Sequence, residues 1–417
     1  MAASWRLRAC ARGARGHQAE LYNAGKIRTL TRFMNAFARL KRLVSRLLLR
    51  GRVLQWWISR KVSRIERIYT GELVRASTGK PAQERLPALA PKSRLRRLLF
   101  ISDIMWEGKE LVPELEKICQ VETLNLQPIL QRAGNAISPR DTVVGALRDF
   151  AATHSSYEPD AVFFYARSAL LSEEAFHLLR QRWKCPLLGM NLDEKTEFLP
   201  YKVFSHSSDD YQKWARKFDV NLTNVRAVVD WYADRGLPIH YMPEGYSPKF
   251  ADAPPSVPPA YVHELSFVGS KRPEREVLMG RLWALGLPAK PLGYGWPDSS
   301  GSARPEAVYR ASMMNLGIGY ASPSLALTTL KTRDFECPGA GACYLTTYNW
   351  ELALHYDIGR EILCYRSEEE LVELFSFYRR RPDECARIAQ AAWRRCLADH
   401  TWEKRFRDLF KQLGWLS

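Results

Sequence analysis

The chain has 417 residues, 46% hydrophobic and 12% aromatic, a size that suits two packed cores rather than one. Its formal charge of +17 is unevenly placed: residues 1–100 hold 24 Lys/Arg and 4 Asp/Glu, and the remainder holds 38 and 41. The basic character is therefore confined to an N-terminal extension, and eight cysteines without a Cys-x-x-Cys pair exclude a zinc ribbon or a thioredoxin-type motif.

The eight histidines show no HExxH or other ligand spacing, so no protein-bound metal is expected. The first twenty residues carry Arg6, Arg8, Arg12 and Arg15, lack the apolar core of a signal peptide and read as disordered. The thiols are accordingly expected to stay reduced. From Leu40 to Ile68, apolar residues recur on one helical face, with Arg46, Arg50, Arg60, Lys61 and Arg64 among the cations opposite. The longest uncharged piece there, Val53 to Ser59, is far short of the ~20 residues that span a bilayer. A basic amphipathic helix with Trp56 and Trp57 at its apolar edge suits an anionic membrane surface, a partner helix, or docking on its own protein. Nucleic acid ranks below these. A cytoplasmic protein, peripheral at the inner membrane face, is the expected setting. Residues 70–93, with Gly71, Gly79, Pro81, Pro87 and Pro91, read as a linker that closes an extension over 1–93.

A first α/β domain is expected over 94–250. Arg97 to Asp103 gives a buried strand, followed by a helix from about Lys109 to Cys119 and a strand at Val121–Leu124. A helix over 141–154, a strand over 161–165, a helix over 172–183 and a strand over 186–190 continue the alternation. That alternation argues for a parallel sheet with ligands at the carboxyl ends of its strands. Asp103, Asp193 and Glu194 stand at such ends and are candidate catalytic carboxylates, placing an acceptor hydroxyl or serving as its base. Asp193 reads equally well as a helix cap with Glu194 in the first turn. Pro243 to Tyr246 closes the domain, and the proline-rich stretch 251–259 is a stiff connector.

A second domain is expected over 260–400. Leu265 to Val268 is a strand, and Gly269, Ser270, Lys271 and Arg272 form a basic turn opening a helix, a setting that suits a diphosphate. Tyr294 and Trp296 lie in a glycine-aromatic turn and either stack on a nucleobase or pack the loop. Further elements follow at 305–311, 314–317, 361–365, 368–378 and 382–397, with a capping box from Ser367 to Glu370. A last helix over 402–413 falls in a closing segment, 401–417.

The organising stretch is Leu330 to Thr347, LKTRDFECPGAGACYLTT. Lys331 and Arg333 stand two apart, Glu336 follows, and Cys337-Pro338-Gly339-Ala340-Gly341 stops the helix where backbone can pass close to a ligand. Cations at a helix start suit a diphosphate, and a glutamate in the same cleft can accept from a ribose diol. Gly339 and Gly341 join the candidate donor contacts.

This string resembles the CgeB-like (spore-maturation type) glycosyltransferases of the GT-B superfamily. So do "FDVNLTN…WYADRGLPIHYMPEGYSPKF", "DIGREILCYRSEEELVEL", "RIAQAAW" and "HTWEKR", over about residues 97–413. The resemblance implies two Rossmann-like domains facing a cleft, a basic helical extension before them, and a terminal helix crossing back. It implies a nucleotide-sugar donor as substrate, no tightly bound cofactor, a glycan or other hydroxyl acceptor, and Glu336 at the donor ribose. It also gives Glu244 and Gly245 a place in the cleft. The class often has a second glutamate eight positions upstream, where this chain has Thr328. The rival expectation is a non-catalytic nucleotide- or glycan-binding protein of the same fold, docked through its basic arm.

Overall fold

The computed structural model describes residues 94–103, 105–134, 137–165, 167–192, 211–248, 254, 260–298, 304–320 and 328–416. The basic extension, Asp193 and Glu194 lie outside them. The first sheet has six parallel strands: β1 (Arg97–Ser102), β2 (Gln120–Asn125), β3 (Ala161–Tyr165), β4 (Leu187–Asn191), β5 (Val220–Thr223) and β6 (Ile239–Tyr241). Their order is β2-β1-β3-β4-β5-β6. Strands β3, β4 and β5 are buried throughout, as expected where helices cover both faces, whereas the edge strand β2 (QVETLN) buries only Leu124. Helix α1 (Met105–Glu116) begins four residues before the sequence expectation. Leu111 and Leu115, both fully buried, hold the helix on the sheet.

The second sheet is also parallel, in the order β11-β10-β9-β7-β8. Its strands are β7 (His263–Val268), β8 (Ala289–Leu292), β9 (Ser312–Gly317), β10 (Tyr344–Thr347) and β11 (Leu363–Tyr365). Both sheets thus reverse direction beside their first strand, between β1 and β3 and between β7 and β9, which is where doubly wound folds open a crevice. The two Rossmann-like domains expected from the sequence are present. The expected cap at Ser367 forms, its Oγ accepting from the Glu370 N–H at 3.1 Å. The Glu370 carboxylate, however, takes the Arg366 N–H rather than that of Ser367.

The chain crosses between the domains twice, side by side. Tyr246 N–H donates to the His400 carbonyl (3.1 Å), and Trp402 N–H donates to the Tyr246 carbonyl (3.0 Å). Gly245 sits in this clamp, where a Cβ would lie 3.0 Å from the His400 oxygen and 3.1 Å from the Trp402 backbone. Beyond it, the terminal helix α12, as counted along the chain (Trp402–Gln412), sends Trp402, Phe406, Leu409 and Phe410 into the core of the first domain beside Leu111 and Leu115. The Phe406 ring meets Phe163 of β3 edge-on, at 6.0 Å between centroids. Across the same seam, Glu351 of the second domain accepts the Arg226 N–H at 2.9 Å. It thereby caps a first-domain helix, α6 (Arg226–Asp234), whose own N-cap residue Val225 has no side-chain acceptor. No helix among the described residues is long and apolar enough to cross a membrane.

Because α12 completes a core rather than resting on a surface, Phe406→Ala is expected to cost about 3–5 kcal/mol, as a large aromatic truncation does. Urea unfolding followed by tryptophan fluorescence measures it. A loss below about 1 kcal/mol would mean that the helix is peripheral.

Candidate active site

The second domain's crevice is built on the turn after β7. Gly269 has no room for a side chain: a Cβ there would lie 2.5 Å from the Arg333 guanidinium and 3.1 Å from that of Arg275. Two arginines therefore converge on one glycine. The Gly269 carbonyl accepts from Trp296 Nε1 (2.9 Å), and the Ser270 carbonyl accepts from Arg275 (2.9 Å). Trp296 is thus buried packing, while Tyr294 in the same loop is 79% exposed. The Lys271 N–H donates to the Tyr294 carbonyl (2.8 Å), which fixes this loop against the basic turn.

Arg333 reaches the turn because Asp334 anchors the start of its helix, α9 (Arg333–Gly339). The buried Asp334 carboxylate accepts from the Lys331 N–H and from the Tyr344 hydroxyl, both at 2.7 Å. Tyr356 donates to the Asp334 carbonyl (2.8 Å). Burial raises the Asp334 pKa, against these hydrogen bonds. The Arg333 guanidinium lies over the Phe267 ring, 4.9 Å from its centroid, and its Nε is buried without a hydrogen-bond partner among the described residues. Burial works against its charge, but Tyr309, Tyr344 and Glu336 hold its pKa above the ordinary value. Arg275 is lowered to about 9, by burial and then by the nearby Arg333. Two cations held together on a neutral turn are relieved by an anion placed between them.

Glu336 stands one helical turn beyond Arg333. It shares a small pocket with Tyr246, Tyr309, Glu306 and, from α1 of the first domain, Glu110. Its pKa is raised to about 7, first by burial and then by Glu110, with Glu244 and Glu306 adding and Arg333 opposing. The Glu336 carboxylate is therefore held where charge is costly.

The structure brings Gly269 and Ser270 up to Arg333 and Arg275, and Glu336 stands one helical turn beyond Arg333. Lys271 and Arg272 flank the turn, with Lys271 Nζ 3.6 Å from Glu276 and Arg272 exposed at the helix N-cap. Lys331 is partly exposed just before α9. Gly339 lines the same pocket as Glu336, where a Cβ would meet the Tyr246 ring at 2.6 Å, whereas Gly341 lies apart, where a Cβ would meet Pro254 at 2.9 Å. Their described neighbours are packing contacts from the domain connection. Asp103 is buried at the carboxyl end of β1, where Arg167 donates to its Oδ2. Glu244 is likewise buried, accepting from Asn224 at 3.3 Å. Glu110 and Arg167 were missed because an isolated charged residue on a helix or after a strand has no spacing to mark it. Arg275 stood in view in the SKRPER run, as one of several cations.

With this geometry in hand, the comparisons fall into place. Residues 275–411 match the glycosyl transferase-like family model. No curated protein sequence matches the chain. Among solved structures, the sucrose-phosphate synthase of Thermosynechococcus elongatus is 14% identical at a TM-score of 0.50, over 76% of this chain and 99% of its own. Anabaena HepE in complex with UDP and glucose is 11% identical at a TM-score of 0.50, over 77% and 99%. HepE in complex with UDP-glucose is 12% identical at the same score, over 77% and 100%. The fold is the GT-B fold, with two parallel-sheet Rossmann-like domains. The match to the glycosyl transferase-like family falls within the second domain and the terminal helix.

Glu336 also makes a stability prediction. Its folded pKa, about 7, lies above its ordinary value of 4.5, so the fold favours the protonated form and loses stability as pH rises through 7. Glu336→Gln is expected to melt higher than wild type at pH 8, with the gap closing below pH 5. A gap that does not change with pH would show that Glu336 ionises normally.

Proposed function

We propose that the protein transfers a sugar from a nucleotide-sugar donor, of the uridine diphosphate type, to a hydroxyl acceptor. The observation that carries this reading is the convergence of Arg275 and Arg333 on the Gly269 turn with Glu336 one helical turn away. The spacing suits the diphosphate and the ribose of one nucleotide. The presence of UDP or UDP-glucose in HepE, which shares the fold, supports uridine as the base. The motif residues from Lys331 to Thr347 support the narrower likeness to CgeB-like transferases.

In this arrangement the turn 269–272, with Arg275, Arg333 and Lys331, faces the diphosphate, and Glu336 accepts from the ribose hydroxyls. The guanidinium groups stabilise the charge that builds on the leaving diphosphate. The first domain holds the acceptor, with Asp103, Asp193 and Glu194 as its carboxylates. Closure of the cleft excludes water and limits donor hydrolysis. The basic extension, on its composition, suits docking on an anionic membrane surface or an acidic partner. Thr328, where the class often has a glutamate, favours the second reading, a nucleotide binder without catalysis.

Calorimetric titration with UDP, GDP and ADP tests the donor site. One nucleotide, expected to be UDP, binds wild type and binds Glu336→Ala at least tenfold more weakly, about 1.4 kcal/mol. Failure of all three to bind would overturn the reading. Binding of UDP without slow release of UDP from a UDP-sugar would favour the binder.

A further inference from the structure

The first domain has its own crevice, between β1 and β3, at the edge from which α1 carries Glu110 toward Glu336. One charged pair occupies it. Asp103, directly after β1, is 3% exposed, and Arg167, two residues beyond β3, is 58% exposed. Arg167 Nε and a terminal guanidinium nitrogen both donate to Asp103 Oδ2, each at 2.8 Å. Oδ1 is buried and has no hydrogen-bond partner among the described residues. A buried carboxylate oxygen is costly to leave unpaired, so it invites a donor that is not part of the fold.

Resting on the transferase reading above, we propose that Arg167 is a positioning residue of the acceptor half of the cleft. It grips Asp103 by one carboxylate oxygen and leaves the other for the acceptor hydroxyl. In the step so assigned, the hydroxyl proton passes to Asp103 Oδ1 as the hydroxyl oxygen bonds to the anomeric carbon of the donor. The bond from that carbon to the diphosphate breaks, and its electron pair leaves on the diphosphate oxygen. A base must be ionised to do this. Burial pushes the Asp103 pKa up, and the Arg167 guanidinium, with the backbone N–H groups of Asp103 and Arg167, pulls it back. Arg167 thus acts on the reaction through Asp103 and not by touching the donor.

The pH dependence of UDP release from UDP-glucose and UDP-N-acetylglucosamine, with water as acceptor, separates this role from a structural one. Arg167→Ala is expected to lower turnover at pH 7 by about tenfold or more and to move the acidic limb of the profile to higher pH. Arg167→Lys restores part of both, and UDP affinity by calorimetry stays within about twofold of wild type, as does the melting temperature of the lysine variant within a few degrees. An acidic limb that stays in place in Arg167→Ala overturns the proposal. So does wild-type protein that binds UDP but releases none from either sugar nucleotide at any pH, and in that case the donor site stands. Absence of UDP binding overturns the donor reading and this proposal together.

Discussion

The site depends on how Asp334 is held. This buried carboxylate ties the Lys331 backbone and the Tyr344 hydroxyl together, and so sets where α9 begins and where its first side chain, Arg333, points. From that start, the guanidinium is pressed onto Phe267 and against Gly269, next to Arg275. Arg275 carries the cost of this crowding, while Tyr309, Tyr344 and Glu336 hold the charge on Arg333. The arginines' mutual repulsion and the costly charge on Glu336 amount to a site prepared for a ligand at the expense of stability, the trade expected where function sets the electrostatics.

The two domains are not independent of this arrangement. Tyr246 is hydrogen-bonded into the crossing segment and packs on Gly339, at the end of the same helix that Asp334 begins. Glu110 and Glu244 bring first-domain carboxylates up to Glu336. A change in the angle between domains therefore changes the field at Glu336 as well as the width of the cleft. Arg405, under Phe335 and next to His400, and the His355–Tyr241 hydrogen bond lie along the same seam. Burial, then Arg405, lowers the pKa of His400 to about 4 and that of His355 to about 2. The seam is thus held by neutral rings over the range in which Glu336 titrates.

Much of the fold was legible because parallel strands buried on both faces leave apolar runs such as LLFIS and AVFFY between amphipathic helices. Element ends were less legible. Helix α1 was expected from about Lys109 and begins at Met105, with Leu111 and Leu115 packed on the sheet. The stretch around Arg333 and Glu336 stood out as a candidate site because several residue types suited to one ligand fall within a few positions. Gly339, next along this stretch, lines the pocket of Glu336 and also lets Tyr246 approach, whereas Gly341 lets Pro254 approach. The acceptor half was hardly readable. Asp103 and Arg167 are 64 residues apart and meet only because β1 and β3 are neighbours in the sheet.

The most direct test of the central claim is a crystal structure of the protein with UDP bound. The account predicts the ribose hydroxyls on the Glu336 carboxylate and the diphosphate at the Gly269 turn, between Arg275 and Arg333. UDP lodged away from the crevice between β7 and β9, with Glu336 and Arg333 unmoved and without a ligand contact, would contradict it.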